Sequence, residues 1–290
     1  MMVSMSENQI QDFVTYGRTF EQYKWYKPIL TFIITGIIYI ILNVILVFIF
    51  MGIFGMNFFQ GLSLGYEGMN TPNAANFFGF LSLVILIPSI YLASRIIKDR
   101  PFSSYASSRG GWDWKIYFKC MAIVFVLYII STILQLIIFG SSNGQNNLNV
   151  LFIAFLIVVP LQCIGEEFLF RGLIMQTIGS WINIPIVAVI IQSIIFGLLH
   201  TYNSIGIITV IAGGIIMGII AWKSNGLEAS SALHSINNIF TVSLGVSGLI
   251  LTTSAISSID LIWSIILEGI CGALILYIGN KYDWFTKDTN

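Results

Sequence analysis

Charge is the first thing this sequence lacks. Only 9% of its 290 residues are Asp, Glu, Lys or Arg, against about 25% in an ordinary soluble domain. A water-facing shell needs more charge than that, so a soluble globular class is excluded. The net charge is zero, and no basic patch offers an electrostatic footprint for nucleic acid. Cysteine is nearly absent: Cys120, Cys163 and Cys271 sit in or beside apolar runs with no CxxC spacing. That excludes a disulfide framework and a cysteine-based metal site, and the three read as small apolar helix residues. A secretory leader is not apparent. The first apolar run starts near Pro28 behind a mostly polar stretch, and it is too long for a leader's apolar core. It is expected to be a retained first span.

What is abundant is apolar surface, 57% of residues, gathered in runs that approach or exceed the ~20 residues a helix needs to cross hydrocarbon. These runs predict an all-α, polytopic transmembrane bundle of about eight spans: Leu30–Met51, Phe77–Arg95, Cys120–Gly140, Asn149–Thr177, Ile184–His200, Ile205–Trp222, Ala229–Ser247 and Leu261–Gly279. The fourth is too long for one straight perpendicular helix and is expected to tilt, bend or break. All thirteen Lys and Arg fall on or toward one side of this layout. The connections Gly52–Asn76, Ser141–Leu148, Thr201–Ser204 and Gly248–Asp260 carry none. By the positive-inside rule both termini are expected to be cytoplasmic, and the Gly/Asn/Ser-rich stretches Gly61–Asn76 and Gly140–Asn149 external. The chain divides into a cytoplasmic segment 1–28, anchoring spans 1–3 over 29–140, a core of spans 4–7 over 148–247, and a last span with a short cytoplasmic tail over 248–290.

The core holds the chemical anomalies. An ionised group at the bilayer centre costs about 2.5–3.5 kcal/mol or more, so such groups pair, line a cavity or do chemistry. Glu167 and Arg171 are i,i+4 with the acid N-terminal, the better order for a helix-face pair, and are expected to make the burial tolerable. Glu166 is rotated by one residue and is expected to be the free carboxylate. Phe196 and His200 are i,i+4, as are His234 and Asn238. Asn237 points elsewhere and reads as a packing or capping residue. The chain has two histidines, and both lie in membrane segments.

A carboxylate, two imidazoles and a carboxamide on three helices suit water activation. Carboxylate and neutral imidazole can remove a water proton, while an imidazole N–H and an Asn amide can donate to a developing oxyanion. Glu166, His200 and His234 could instead ligate zinc. HExxH is missing, which excludes the common zincin helix.

Taken in order, Glu166-Glu167…Arg171, Phe196…His200 and His234…Asn238 resemble the three motifs (EExxxR, FxxxH, HxxxN) of the CPBP family of intramembrane proteases. This is the CAAX-processing and bacteriocin-processing, or Abi, family. The resemblance covers about Leu148–Ser247. It implies a plasma-membrane hydrolase, in bacteria, that cuts membrane-associated peptides or proteins from a cavity open to the cytosol. By that analogy Glu166 and His200 activate the water, His234 and Asn238 stabilise the oxyanion, and Glu167, Arg171 and Phe196 support the site. No cofactor is expected, because Asn is a poor zinc ligand; zinc held by Glu166, His200 and His234 is the alternative. Other classes stay open: a non-catalytic bacteriocin-immunity or scaffold protein of the same fold, or a proton-coupled transporter, although no internal repeat of the transporter kind is visible.

Five further readings concern the packing of these spans. In straight helices His200 lies about 25 Å into span 5 and His234 about 9 Å into span 7, so a shared site requires span 5 to tilt or start deep, or 223–228 to dip inward. Glu268 in span 8 is expected to be a paired or water-facing structural group; the alternatives are an approach to the site, a pair with Arg171 or an oligomer contact. Glu228 suits the positive end of a helix. Gly213, Gly214 and Gly218 read as close helix packing, and Trp222 and Tyr282 as interfacial belt residues.

Overall fold

A computed structural model describes residues 11–63, 72–250 and 253–286. Lys287, the first ten residues of the 1–28 segment, the centre of the Gly61–Asn76 loop and a small part of the Gly248–Asp260 connection lie outside the described residues. Among the described residues the fold is all-helical, without strands.

Pro28 opens α1 (Lys27–Phe54), where its missing N–H is no loss, and Gly55 closes it at φ 58. Ile40, Val44, Ile45 and Phe48 are exposed along α1, an apolar surface suited to lipid. A short α2 (Met56–Ser63) follows. The second span is broken into α3 (Ala74–Val84) and α4 (Leu86–Ile97). Pro88 explains the break, because its ring excludes a helical bond to the carbonyl of Val84. A single turn, α5 (Ser103–Ala106), leads to α6 (Trp114–Phe139), which Asp113 caps by accepting the Lys115 N–H. The fourth span runs unbroken from Leu151 to Ile182 as α7 (Leu151–Glu167), a π-helical stretch Phe168–Met175, and α8 (Gln176–Ile182). The expected distortion of this long span is thus a local widening, immediately after the paired glutamates.

The short α9 (Pro185–Leu198) is followed by α10 (Ser204–Lys223), α11 (Glu228–Val246) and α12 (Ser258–Lys281), the last begun by a Ser257–Asp260 capping box. Helices therefore occupy all eight expected stretches. Among the described residues six helical stretches are long and apolar enough to cross a membrane; α9 is shorter, and α11 carries the polar residues of the site. α9 packs along α10, α11 against α6 and α7, and α3 against α7. Three glycines of α10 make the close approaches expected of them. A Cβ on Gly214 would fall 3.1 Å from the Ser193 side chain, one on Gly218 2.9 Å from Val189, and one on Gly213 2.7 Å from Glu268 Oε2.

Connections at one end of the bundle bind one another. Trp222 Nε1 donates to Asp12 at 2.6 Å, Trp181 Nε1 to the Trp25 carbonyl at 2.9 Å, and Lys119 stands over the Trp284 ring. The opposite end is tied by 140–149 meeting 246–250, with Ser142, Gly144 and Asn147 N–H groups on the carbonyls of Leu249, Gly248 and Val246. Apart from Arg171, the described Lys and Arg residues stand on or beside connections at the first end.

The loop between α4 and α6 is not a free polar loop. Residues 99–113 fold into the bundle as a cap over the π-helical stretch and the start of α11. Arg100 donates to Gln176 Oε1 and to the Gly172 carbonyl, and its guanidinium lies 3.7 Å over the Tyr105 ring. Burial raises the Tyr105 phenol above its ordinary range, a shift that Arg100 opposes. The Leu227 N–H donates to Ala106 O, and Ser108 N–H to Asn225 O. Arg109 pairs with Glu228 at 2.6 Å, and Glu228 also accepts the Asp113 N–H. Glu228 does sit in the first turn of its helix, as expected, but it is fully buried and the cap supplies its partners. Gly172 permits the fit, since a Cβ there would come 2.8 Å from the Tyr105 carbonyl oxygen.

Candidate active site

Glu166, Glu167, Arg171 and His234, four of the polar side chains singled out in the sequence, gather where α7 widens. Glu167 and Arg171 are fully buried and bond at 2.7 Å. Desolvation of two such ions costs several kcal/mol each, so the remaining valences have to be filled. Glu167 accepts Ser230 Oγ at 2.7 Å and His234 Nδ1 at 3.1 Å. Arg171 Nη2 reaches the Gly214 carbonyl at 3.2 Å, and its guanidinium lies 4.7 Å over the Phe196 ring. Glu167 is therefore the anchor that fixes α11 to the end of α7. Glu166 faces His234 from the other side, with Oε2 3.5 Å from Nε2. It makes no other ion pair or hydrogen bond among the described residues, so it is the less committed of the two carboxylates.

His200 lies just beyond α9. Its Nδ1 is 2.8 Å from the Phe196 carbonyl oxygen, and a carbonyl only accepts, so Nδ1 carries a proton and, in the neutral ring, Nε2 keeps the lone pair. Tyr202 stacks on the ring at 6.0 Å. Phe196 is the hub: its ring lies 4.8 Å from Phe170, 4.7 Å from His200 and 6.0 Å from His234. Both imidazoles thus flank one aromatic ring, as a shared site requires. Two features reconcile the depths. α9 has 14 residues, fewer than the expected span, and 224–228 is drawn inward beneath the cap, with Ser224, Leu227 and Glu228 buried. No direct bond joins Glu166 to His200; the contact of Glu166 is with His234.

Asn238 sits one turn beyond His234 on α11. Its Nδ2 donates to Gln162 Oε1 over a long 3.4 Å, and its Oδ1 accepts Asn237 Nδ2 at 3.2 Å. Asn237 in turn accepts the Tyr128 hydroxyl at 3.0 Å, which is a more specific place than packing or capping. Glu268 is buried against Gly213. Ser264 donates to its Oε1 at 2.8 Å, and Oε2 has no hydrogen-bond partner. It forms no ion pair with Arg171 among the described residues.

Ser230, Gln162 and Tyr128 belong to this network and were not singled out from sequence. A signal existed for two of them. Ser230, His234 and Asn238 repeat at i,i+4, and Gln162 stands one turn before Glu166. Among the described residues no three His, Cys, Asp or Glu side chains gather as a ligand set; the Nδ1 atoms of His200 and His234 are engaged on Phe196 O and Glu167, which leaves their Nε2 atoms toward the site.

Residues 147–240 match the family model described as type II CAAX prenyl endopeptidase Rce1-like, over nearly the same range as the three motifs. A Bacillus subtilis (strain 168) protein, "Uncharacterized protein YyaK", is 31% identical over 177 residues, which is 56% of this chain and 59% of that protein. The match thus spans less than two thirds of that relative's length. No solved structure matches.

Proposed function

We propose, for a chain whose 147–240 segment matches the Rce1-like type II CAAX prenyl endopeptidase family model, that it is a multi-pass membrane endopeptidase cutting membrane-associated peptides with water activated by Glu166 and His200. The observation that carries this reading is the convergence of the three motifs: His200 and His234 flank the Phe196 ring, and Glu166 lies 3.5 Å from His234.

A water between Glu166 and His200 Nε2 meets two acceptors and donates one hydrogen to each. Glu166 takes the proton as the water oxygen attacks the peptide carbonyl. The carbonyl oxygen, now anionic, receives N–H groups from Asn238 Nδ2 and from Nε2 of His234, whose ring in this mechanism is the imidazolium, since its Nδ1–H is given to Glu167. When the C–N bond breaks, protonated Glu166 returns its proton to the leaving amine. Glu167, Arg171 and Ser230 hold His234 and touch no reacting atom. No step is routed through a metal, since Glu166, His200 and His234 are not gathered as ligands. The positive connections face the cytosol in this reading, and the chain resides in a bacterial plasma membrane.

The test uses full-length protein in phosphatidylethanolamine/phosphatidylglycerol vesicles. A farnesylated peptide ending in a CAAX sequence and an unprenylated amphipathic peptide are incubated with wild type and Glu166→Ala, and products are read by mass spectrometry. Cleavage of either peptide by wild type alone is expected. Equal cleavage by E166A removes Glu166 from its role, and proton or solute flux without cleavage places the chain among transporters. Stoichiometric zinc by elemental analysis would replace the metal-free mechanism.

A further inference from the structure

Asn238 lies within a line of hydrogen bonds that begins on a different helix. The Tyr128 hydroxyl of α6 donates to Asn237 Oδ1, Asn237 Nδ2 donates to Asn238 Oδ1, and Asn238 Nδ2 donates to Gln162 of α7. Both ends are shielded: Tyr128 is 5% and Gln162 3% exposed, so water competes little for either. The Tyr128 ring is itself fixed against Phe240 at 5.4 Å.

The line matters because a carboxamide has two faces. Its NH2 edge attracts an oxyanion and its oxygen edge repels one, yet the two edges are nearly the same shape. An Asn238 free to turn about its last torsion would offer the wrong edge part of the time. Here its oxygen is occupied by the Asn237 N–H. Of its two N–H bonds one goes to Gln162, leaving the other for the site it shares with His234, one turn back on the same helix face. Asn237, one residue before Asn238, is rotated away from that face and meets α6 instead.

We propose that Tyr128 and Asn237 are positioning residues that lock the Asn238 carboxamide with its donor edge toward the oxyanion. The proposal rests on the peptidase reading above and adds residues that lie outside the three motifs. Neither touches substrate; both act through Asn238.

The experiment is a double-mutant cycle on full-length protein in the same vesicles, with the peptide that wild type cleaves. Tyr128→Phe keeps the ring against Phe240 and removes only the donor. It is expected to lower kcat about tenfold, the scale of one neutral hydrogen bond, with KM within about twofold of wild type. In an Asn238→Ala background Y128F is expected to change nothing further, because the group it positions is gone. Asn237→Ala removes the middle of the line and is expected to repeat the pattern, so it serves if Y128F fails to fold. Unchanged kcat in the single variants, or the same tenfold loss in the N238A background, overturns the proposal. Glu166→Gln runs alongside. If it is inactive while the cycle is flat, the relay alone is wrong; if wild type cleaves nothing, both readings fall together.

Discussion

Glu167 Oε1 lies 3.1 Å from His234 Nδ1 and at the same time 2.7 Å from Arg171 Nη1. One fully buried carboxylate oxygen thus holds a motif histidine to the residue that neutralises it. The pair is both a stability element and the fixture of the site.

Removing one partner should therefore be worse than removing both. Glu167→Ala leaves the Arg171 guanidinium buried and unpaired, and a loss of about 3–5 kcal/mol is expected for breaking a buried pair from one side. Glu167→Met combined with Arg171→Met removes both charges and is expected to recover part of that loss. Thermal unfolding in detergent ranks the variants; a double variant less stable than E167A would contradict the assignment.

The sidedness of the bundle predicts a labelling pattern. All three native cysteines are buried, so background reaction with an impermeant maleimide should be low. Lys24→Cys and Thr286→Cys are expected to react only in inverted vesicles, and Ser142→Cys and Thr253→Cys only in whole cells. The reverse pattern would overturn the positive-inside assignment.

The Phe196 carbonyl sets the tautomer of His200. In protein with 15N-labelled histidine, which has two ring systems to assign, the neutral His200 ring is expected to carry its proton on Nδ1, with Nε2 free. His234→Gln assigns the signals. A proton on Nε2 would leave no lone pair for the water and would contradict the role given to His200.

Much of this architecture was legible because a bilayer makes few demands and makes them plainly. Apolar run length marked all eight helical stretches, and i,i+4 spacing marked Glu167–Arg171. What stayed hidden depends on contacts between distant segments. Residues 99–113 read as a cytoplasmic loop by charge, yet Arg100 and Arg109 find partners at Gln176 and Glu228, 76 and 119 positions on. Asn237 looked like packing because its partner, Tyr128, is 109 positions away. The break at Pro88 and the π-helical stretch after Glu167 are backbone events that residue periodicity does not report. Glu268 was legible as an anomaly, but its neighbour, Gly213, was not.

The measurement that bears most directly on the whole account is the kcat of Glu166→Gln for the peptide that wild type cleaves. The substitution keeps the shape of the side chain and removes its ability to take a proton. A fall of about 10²–10⁴-fold is expected for loss of the general base, with the folded helical content and KM retained. A kcat within about threefold of wild type would contradict the central claim, that Glu166 activates the water.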